Sequence, residues 1–263
     1  MLIALTRPVS PRLGDCELTF LPRVPIDVAR ARHQHTVYCT TLRALGVAVQ
    51  TLPAAPDLPD AVFVEDTAVV VDEIAVIARL GAPSRRSEVA DVATALAAYR
   101  PLGVLRAPAQ LDGGDVLRVG RTLYVGTSGR TNAAGVAQLR ALLAPYGYQV
   151  QPVALHGCLH LKSACTALDA TTLLVNDAWV DPAIFAGLRV LRVPPAEPWA
   201  ANVLAVADQV LLPAGNPATQ ALLAAHGFAV TPLDISELQK AEAALTCQSI
   251  LFADPPGAAT PAP

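Results

Sequence analysis

The chain is short of charge. Of its 263 residues only 16% are Asp, Glu, Lys or Arg, and the formal net charge is −3. It has no basic block. That argues against a nucleic-acid partner, because phosphate binding needs clustered Lys and Arg. Long apolar runs are missing too. Charges interrupt them before the ~18 residues a membrane helix needs, so no transmembrane helix is expected. The opening Met1-Leu2-Ile3-Ala4-Leu5-Thr6-Arg7 has neither a basic leader nor a long apolar stretch, and it does not read as a signal peptide. Cysteine is scarce and odd in number, five residues with no close pairing pattern. Free thiols are expected rather than a disulfide framework, and the cytoplasm is the expected compartment. What the chain does have is apolar mass. Hydrophobic residues make up 53%, ample for a buried core in one or two domains.

One pattern recurs along the chain. Two short apolar strands flank a two-residue polar turn, a helical stretch follows, and a small strand opened by Gly closes the unit. Ala68–Val71 and Ile74–Ala78 flank Asp72-Glu73. Val116–Val119 and Thr122–Val125 flank Gly120-Arg121. Thr166–Leu168 and Thr171–Val175 flank Asp169-Ala170. Val203–Val206 and Gln209–Leu212 flank Ala207-Asp208. A strand pair around such a turn is a hairpin signal. Closing strands begin at Gly46, Gly103, Gly147, Gly187 and Gly227, where Gly can stop the preceding helix in a left-handed conformation. There are five closing strands but four complete hairpins. Met1–Thr6 and the strand read around Cys247 supply the missing pair, so the two chain ends share one unit. Repeats of this length form solenoids or rings, and shared ends mean a ring. The expected fold is α/β, a five-unit ring of ββαβ repeats with pseudo-fivefold symmetry. It forms one domain over residues 1–253, followed by a disordered Pro/Ala-rich tail over residues 254–263.

Loops of ring units converge near the axis, so polar residues at unit starts are the site candidates. A lone cysteine in a strand is ordinarily a small buried hydrophobe. Cys247 differs in its company, for a thiolate nucleophile needs a base or cation and a group to orient it. His160, in His-Leu-Lys-Ser-Ala-Cys-Thr, stands just before the third hairpin. Asp112 opens Asp-Gly-Gly-Asp, a turn whose glycines also admit close backbone approach. Glu65 and Asp66 are adjacent carboxylates; facing inward, they suit a cationic substrate. Arg85 and Arg86 sit at a helix start, against the helix dipole, and Arg130 holds the equivalent place in the next unit. A substrate carboxylate, which Arg can grip in two places, accounts for such a pair. His156, Cys158 and His160 alternate and would share one face of a strand, with Cys165 close behind. That offers zinc a donor set, but the spacing matches no usual finger pattern.

Phe-Val-Glu-Asp-Thr, Gly-Ala-Pro-Ser-Arg-Arg, Asp-Gly-Gly-Asp-Val, Thr-Ser-Gly-Arg-Thr-Asn, His-Leu-Lys-Ser-Ala-Cys-Thr and Leu-Thr-Cys-Gln-Ser follow one another in family order. Together they resemble the dimethylarginine dimethylaminohydrolases, guanidine-modifying enzymes of the pentein fold, from about Leu2 to Phe252. The resemblance implies a five-bladed α/β propeller. It implies Cys247 as nucleophile, His160 as acid and then base, and Asp112 as the group orienting His160. Asp66, with Glu65 nearby, would hold the guanidinium. Arg85 and Arg130 would bind the α-carboxylate. Asp60 would meet the α-amine, helped by the backbone of Leu18 in a lid around residues 12–24. The products would be citrulline and dimethylamine, with no cofactor and no metal. A homodimer is a further expectation. Arginine deiminases usually carry His-x-Asp where this chain has His160-Leu161-Lys162, so methylated arginine is favoured over arginine. The rival readings are a deiminase or other guanidine hydrolase, and a non-catalytic pentein-type binding protein.

Overall fold

Fifteen strands form five three-stranded sheets in the computed structural model, which describes residues 1–254. β1 (Leu2–Thr6) and β2 (Ala48–Thr51) belong to the first sheet. β3 (Ala68–Val70), β4 (Ala75–Ile77) and β5 (Leu102–Val104) make the second, and β6 (Val116–Val119), β7 (Thr122–Thr127) and β8 (Gln149–Ala154) the third. β9 (Cys165–Ala167), β10 (Thr172–Val175) and β11 (Arg189–Arg192) make the fourth. β12 (Leu204–Val206), β13 (Gln209–Pro213) and β14 (Ala229–Leu233) make the fifth. β15 (Ile250–Ala253) completes the first by running antiparallel to β1, with Leu2 opposite Ala253 and Leu5 opposite Ile250. The chain ends do share one unit. In every sheet the hairpin pair is antiparallel and the closing strand joins the middle strand in parallel. The five inner strands, β3, β6, β9, β12 and β15, line an axial cavity of about 270 Å3. This is the five-bladed α/β propeller that the repeat implied.

Helices clothe the sheets. α1 (Val28–Ala44) starts at Asp27, whose side chain accepts a hydrogen bond from the Arg30 N–H. α2 (Val89–Ala97) follows β4, and α3 (Ala133–Leu143) starts at Asn132, which accepts from the Gly135 N–H. Such caps satisfy N–H groups that a helix cannot pair internally. α4 (Leu161–Ala164) and α6 (Ser236–Gln239) are single turns, and α5 (Pro217–Ala225) follows β13. The fourth unit departs from the expected pattern. Between β10 and β11 stands only the 3-10 turn Pro182–Phe185. Pro182 interrupts a short connection, and Phe185 fills the helix's place by packing edge-on to Tyr124 at 4.9 Å.

The closing glycines split into two kinds. Gly46, Gly147, Gly187 and Gly227 have φ between 75° and 87°, as the helix-stop reading requires. Gly103 does not. It lies inside β5, where a Cβ would come within 3.3 Å of Ile74 and Leu142. Packing space is its reason, not backbone freedom.

The apolar clusters lie between neighbouring blades, each drawing on two of them. Leu96 of α2 and Leu139 and Leu143 of α3 are fully buried. Truncating one to Ala costs about 2–5 kcal/mol through lost burial and the cavity left behind. Among the described residues no helix is long and apolar enough to cross a membrane. Apart from Asp254, the expected tail lies outside the described residues.

Candidate active site

A short turn precedes each inner strand, and these turns carry the site to one end of the axis. Val64–Thr67 precedes β3, Gly113–Asp115 precedes β6, α4 precedes β9, and Thr246–Gln248 precedes β15. Cys247, expected on the last strand, therefore stands in the turn before it. The difference matters, because a strand would have aimed its Sγ at one face of the sheet. Glu65 and Asp66 also sit in a turn rather than at a strand end.

Cys247, His160, Asp66, Asp60, Arg85 and Arg130 line one cavity of about 20 Å3. Cys247 is partly buried, and its Sγ accepts the Ala244 N–H at 3.4 Å. Burial above all, then the charges of Glu65 and Asp66, push its thiol far above the ordinary cysteine value. Cys247 thus rests as a neutral thiol. His160 is the opposite case. Its Nε2 lies 3.2 Å from Asp112 Oδ2, and its Nδ1 3.8 Å from Asp66 Oδ1. Burial disfavours the imidazolium, but the Asp66 charge and then the Asp112 bond outweigh it and raise the value to about 9. At neutral pH the ring carries a proton to give.

Asp112 is fully buried and accepts the Gly81 N–H through its other oxygen at 2.8 Å. Asp66 accepts from the Gly114 N–H at 3.0 Å and from Arg85 at 2.7 Å. Burial opposes its charge, yet His160 and Arg85 hold its carboxyl at about 2. Gly114 is required where it stands: a Cβ there would lie 2.5 Å from His160 Nδ1 and 2.8 Å from Asp66. Close approach, one of the two readings of the Asp-Gly-Gly turn, is the one realised.

Arg85 and Arg130 share the cavity but not the same freedom. Arg85 spends its donors on Glu88, Asp66 and the Phe63 carbonyl. Of its five N–H groups, one is left for a ligand. The Glu88 and Asp66 carboxylates also explain why a cation tolerates this helix start. Arg130 Nη2 donates to Thr19 Oγ1 at 3.3 Å, and its Nη1 lies 3.8 Å from Asp112. Asp60 accepts the Glu17 N–H with both oxygens, at 3.2 and 3.1 Å. Of the segment 12–24, expected to form a lid, Glu17 lines the cavity, while Leu18 packs beside the hydrophobic cluster around α1.

Glu65 takes a different part from the one expected. Its carboxylate is 2.5 Å from Lys162 Nζ and accepts the Thr246 hydroxyl at 2.7 Å. It lines the axial cavity, not the Cys247 cavity. The zinc alternative is not assembled either. Residues 155–160 form a bend rather than a strand, His156 is exposed, and Cys158 donates to the His160 carbonyl. The acid-rich group that does converge is Asp66, Asp112 and His160.

Sequence reasoning missed Glu88, which fixes Arg85, and Asp115, which accepts the Leu161 N–H and the Ser128 hydroxyl. It missed Glu242, which grips the lid. Asp115 repeats the Asp-Gly-Gly-Asp motif's second carboxylate, a signal that was present. Glu242 has none, for its partners are more than 200 residues away in sequence.

A thiol, an imidazolium and paired carboxylates meet at one end of the propeller's axis, and similarity to known proteins makes this chain a hydrolase of carbon–nitrogen bonds in linear amidines. A relative from Streptomyces coelicolor, an N(G),N(G)-dimethylarginine dimethylaminohydrolase, is 43% identical over 94% of this chain and 95% of its own. The chain belongs to the dimethylarginine dimethylaminohydrolase family. The family model described as N,N dimethylarginine dimethylhydrolase, eukaryotic, matches residues 24–168. The enzyme of the same name from Pseudomonas aeruginosa is 35% identical over 86% of this chain and 90% of its own. A solved structure of the Pseudomonas aeruginosa enzyme, a mutant complexed with citrulline, superposes with a TM-score of 0.91 at 32% identity, covering 95% of this chain and 98% of that one.

Proposed function

We propose that this chain hydrolyses Nω-methylated arginine to citrulline and methylamine or dimethylamine, through a covalent intermediate on Cys247. The observation that carries the reading is a buried His160, raised to about 9, in one cavity with Cys247 and Asp66. The bound guanidinium lies against Asp66. Its positive charge lowers the cost of ionising the thiol, which releases its proton to solvent as substrate binds. The thiolate attacks the guanidinium carbon. As that carbon's bond to the dimethylamino nitrogen breaks, the imidazolium gives its proton to the departing amine. An S-alkylthiouronium remains. Neutral His160 then takes a proton from water, the hydroxide adds to the same carbon, and the thiolate leaves to yield citrulline. Asp112 keeps the ring in place throughout. Arg130, and the one free N–H of Arg85, bind the α-carboxylate. Asp60 and the Leu18 backbone meet the α-amine.

Methylated arginine suits this geometry better than arginine. Lys162 engages Glu65 in the axial cavity, so Asp66, beside His160 and Cys247, is the carboxylate that meets the guanidinium. N-methyl groups need no second acceptor there, whereas a bare amidinium end would lose hydrogen bonds it makes in water. Citrulline formation from asymmetric dimethylarginine, and separately from arginine, tests this. Wild type should act on the first with little turnover of the second, and Cys247→Ser should form none. Faster turnover of arginine would overturn the preference. No citrulline from either would overturn the reaction.

A further inference from the structure

One carboxylate gathers the tip of the 12–24 segment, beyond the bonds that Asp60 makes to Glu17 and Arg130 to Thr19. Glu242 accepts the backbone N–H groups of three consecutive lid residues: Thr19 at 3.0 Å to both oxygens, and Phe20 and Leu21 at 2.5 Å each. Successive N–H groups turned to one side form a concave anion site. Here the anion belongs to the loop that leads to the nucleophile. Two residues on, Ala244 donates its N–H to Cys247 Sγ. Beside the Thr19–Arg130 bond the tip packs loosely, for Phe20 and Val24 are exposed by 48% and 42%.

Backbone conformation singles out the same residue. Glu242 has φ 56°, the left-handed region, which glycine adopts freely and a Glu does at a cost. The cavity volumes give the position its meaning. The Cys247 cavity of about 20 Å3 has room for little more than a water, which needs about 10–15 Å3. An outer pocket of about 240 Å3 lies beside it, lined by Leu21, Ser163, Trp199 and Ala244 among others. Glu242 and Ala243 line both. An amino acid with a guanidinium tail needs more room than this cavity holds, and Glu242 stands between it and the larger pocket.

We propose that Glu242 is a positioning residue: its carboxylate latches residues 19–21, holds the Leu18 backbone and the Thr19–Arg130 contact in register, and separates the outer pocket from the catalytic cavity. The role in turnover rests on the methylarginine reading above; the latch itself does not. Glu242→Gly and Glu242→Gln test it. Gly keeps the left-handed backbone and removes the carboxylate, while Gln retains one acceptor oxygen. Two readouts are taken: steady-state citrulline formation from dimethylarginine, and limited trypsin cleavage after Arg23 followed by mass spectrometry. Glu242→Gly should raise KM about tenfold or more while kcat changes less than about threefold, since the latch acts on the closed complex rather than on the reacting atoms. Cleavage after Arg23 should quicken at least fivefold with the thermal midpoint unchanged, and Glu242→Gln should fall between. Charge-assisted bonds of this kind are about twice as strong as neutral ones, so their loss is felt on this scale. Cleavage and KM both at wild-type values would overturn the latch, and so would equal acceleration at arginines throughout the ring, which is general destabilisation. Faster cleavage after Arg23 with citrulline formed by neither protein would uphold the latch and overturn the substrate reading instead.

Discussion

Glu65 and Asp66 are neighbours in sequence, both buried, and they face two different cavities. Asp66 belongs to the catalytic end, between Arg85, the Gly114 N–H and His160. Glu65 belongs to the axial cavity, between Lys162 and Thr246. Burial pushes both carboxyls up, but the outcomes differ. Against Asp66 stand His160 and Arg85, and they win, holding it at about 2. Against Glu65 stands Lys162, and burial prevails, leaving its value raised. One tight turn thus separates a carboxylate held as an anion beside His160 from one paired with Lys162 in the axial cavity. The same carboxylate chemistry does different work according to its counter-charges.

Asp66→Asn breaks the catalytic side of this comparison and should have the largest effect. Turnover of dimethylarginine should fall roughly 10²–10³-fold, the usual size for losing one preorganised charge at a reacting centre. The substitution also removes the leading cause of the raised His160 value. In wild type the alkaline limb of kcat should lie near 9, where the imidazolium loses its proton. In Asp66→Asn that limb should move to lower pH. Stability follows the same linkage. The folded value lies above the ordinary 6.5, so the stabilisation is fully present below pH 6.5 and is lost as pH rises through about 9. Thermal midpoints measured from pH 6 to 10 should show that decline in wild type and a shallower one in Asp66→Asn. An unmoved limb would mean that Asp66 does not govern the acid.

Gly114→Ala sharpens the comparison, because it leaves every charge in place. The added methyl would sit 2.5 Å from His160 Nδ1 and 2.8 Å from Asp66. The ring must shift, and a displacement approaching 1 Å costs about 10²-fold in rate. Activity should fall by about that factor while the alkaline limb stays near that of wild type. A shifted limb with undiminished kcat would mean the methyl altered charge contacts rather than position.

The ring was legible because its evidence is local. Each of the four complete hairpins and each closing strand announces itself within about ten residues, and the copies reinforce one another. Cys247, His160, Asp112 and Asp66 could be picked out as candidates because each stands in or beside a short polar motif, and the structure places those motifs at the turns before inner strands. What the sequence hid was pairing. Nothing local tells that Glu65 turns to Lys162, 97 positions on, or that Glu242 reaches back more than 200 to the lid. The left-handed backbone at Glu242 is equally silent, since it falls on a residue that rarely adopts it. Gly103 misled for a related reason: its lack of a side chain answers to Ile74 and Leu142 rather than to its own φ.

Lys162→Met breaks the axial side and should have the smallest effect on turnover. It strips Glu65 of its cation but leaves Asp66, His160 and Asp112 untouched. Removing one partner of a buried pair costs about 3–5 kcal/mol, mostly the penalty of an uncompensated charge. Glu65 has an exit, however. Its value is already raised by burial; without Lys162 it rises further and the carboxyl takes up a proton. The neutral acid no longer adds its charge against the Cys247 thiol, so kcat should fall less than about tenfold. The stability loss then acquires a pH signature. A carboxyl whose folded value exceeds its unfolded one favours the folded state at low pH, and that advantage disappears as pH rises through the folded value. The midpoint of Lys162→Met should therefore approach wild type near pH 5 and fall away from it by pH 8. Adding Glu65→Gln should remove the pH dependence and recover most of the loss, because the unpaired charge is gone. If instead turnover fell as far as in Asp66→Asn, the two carboxylates would be acting on one substrate, and the division between the cavities would be wrong.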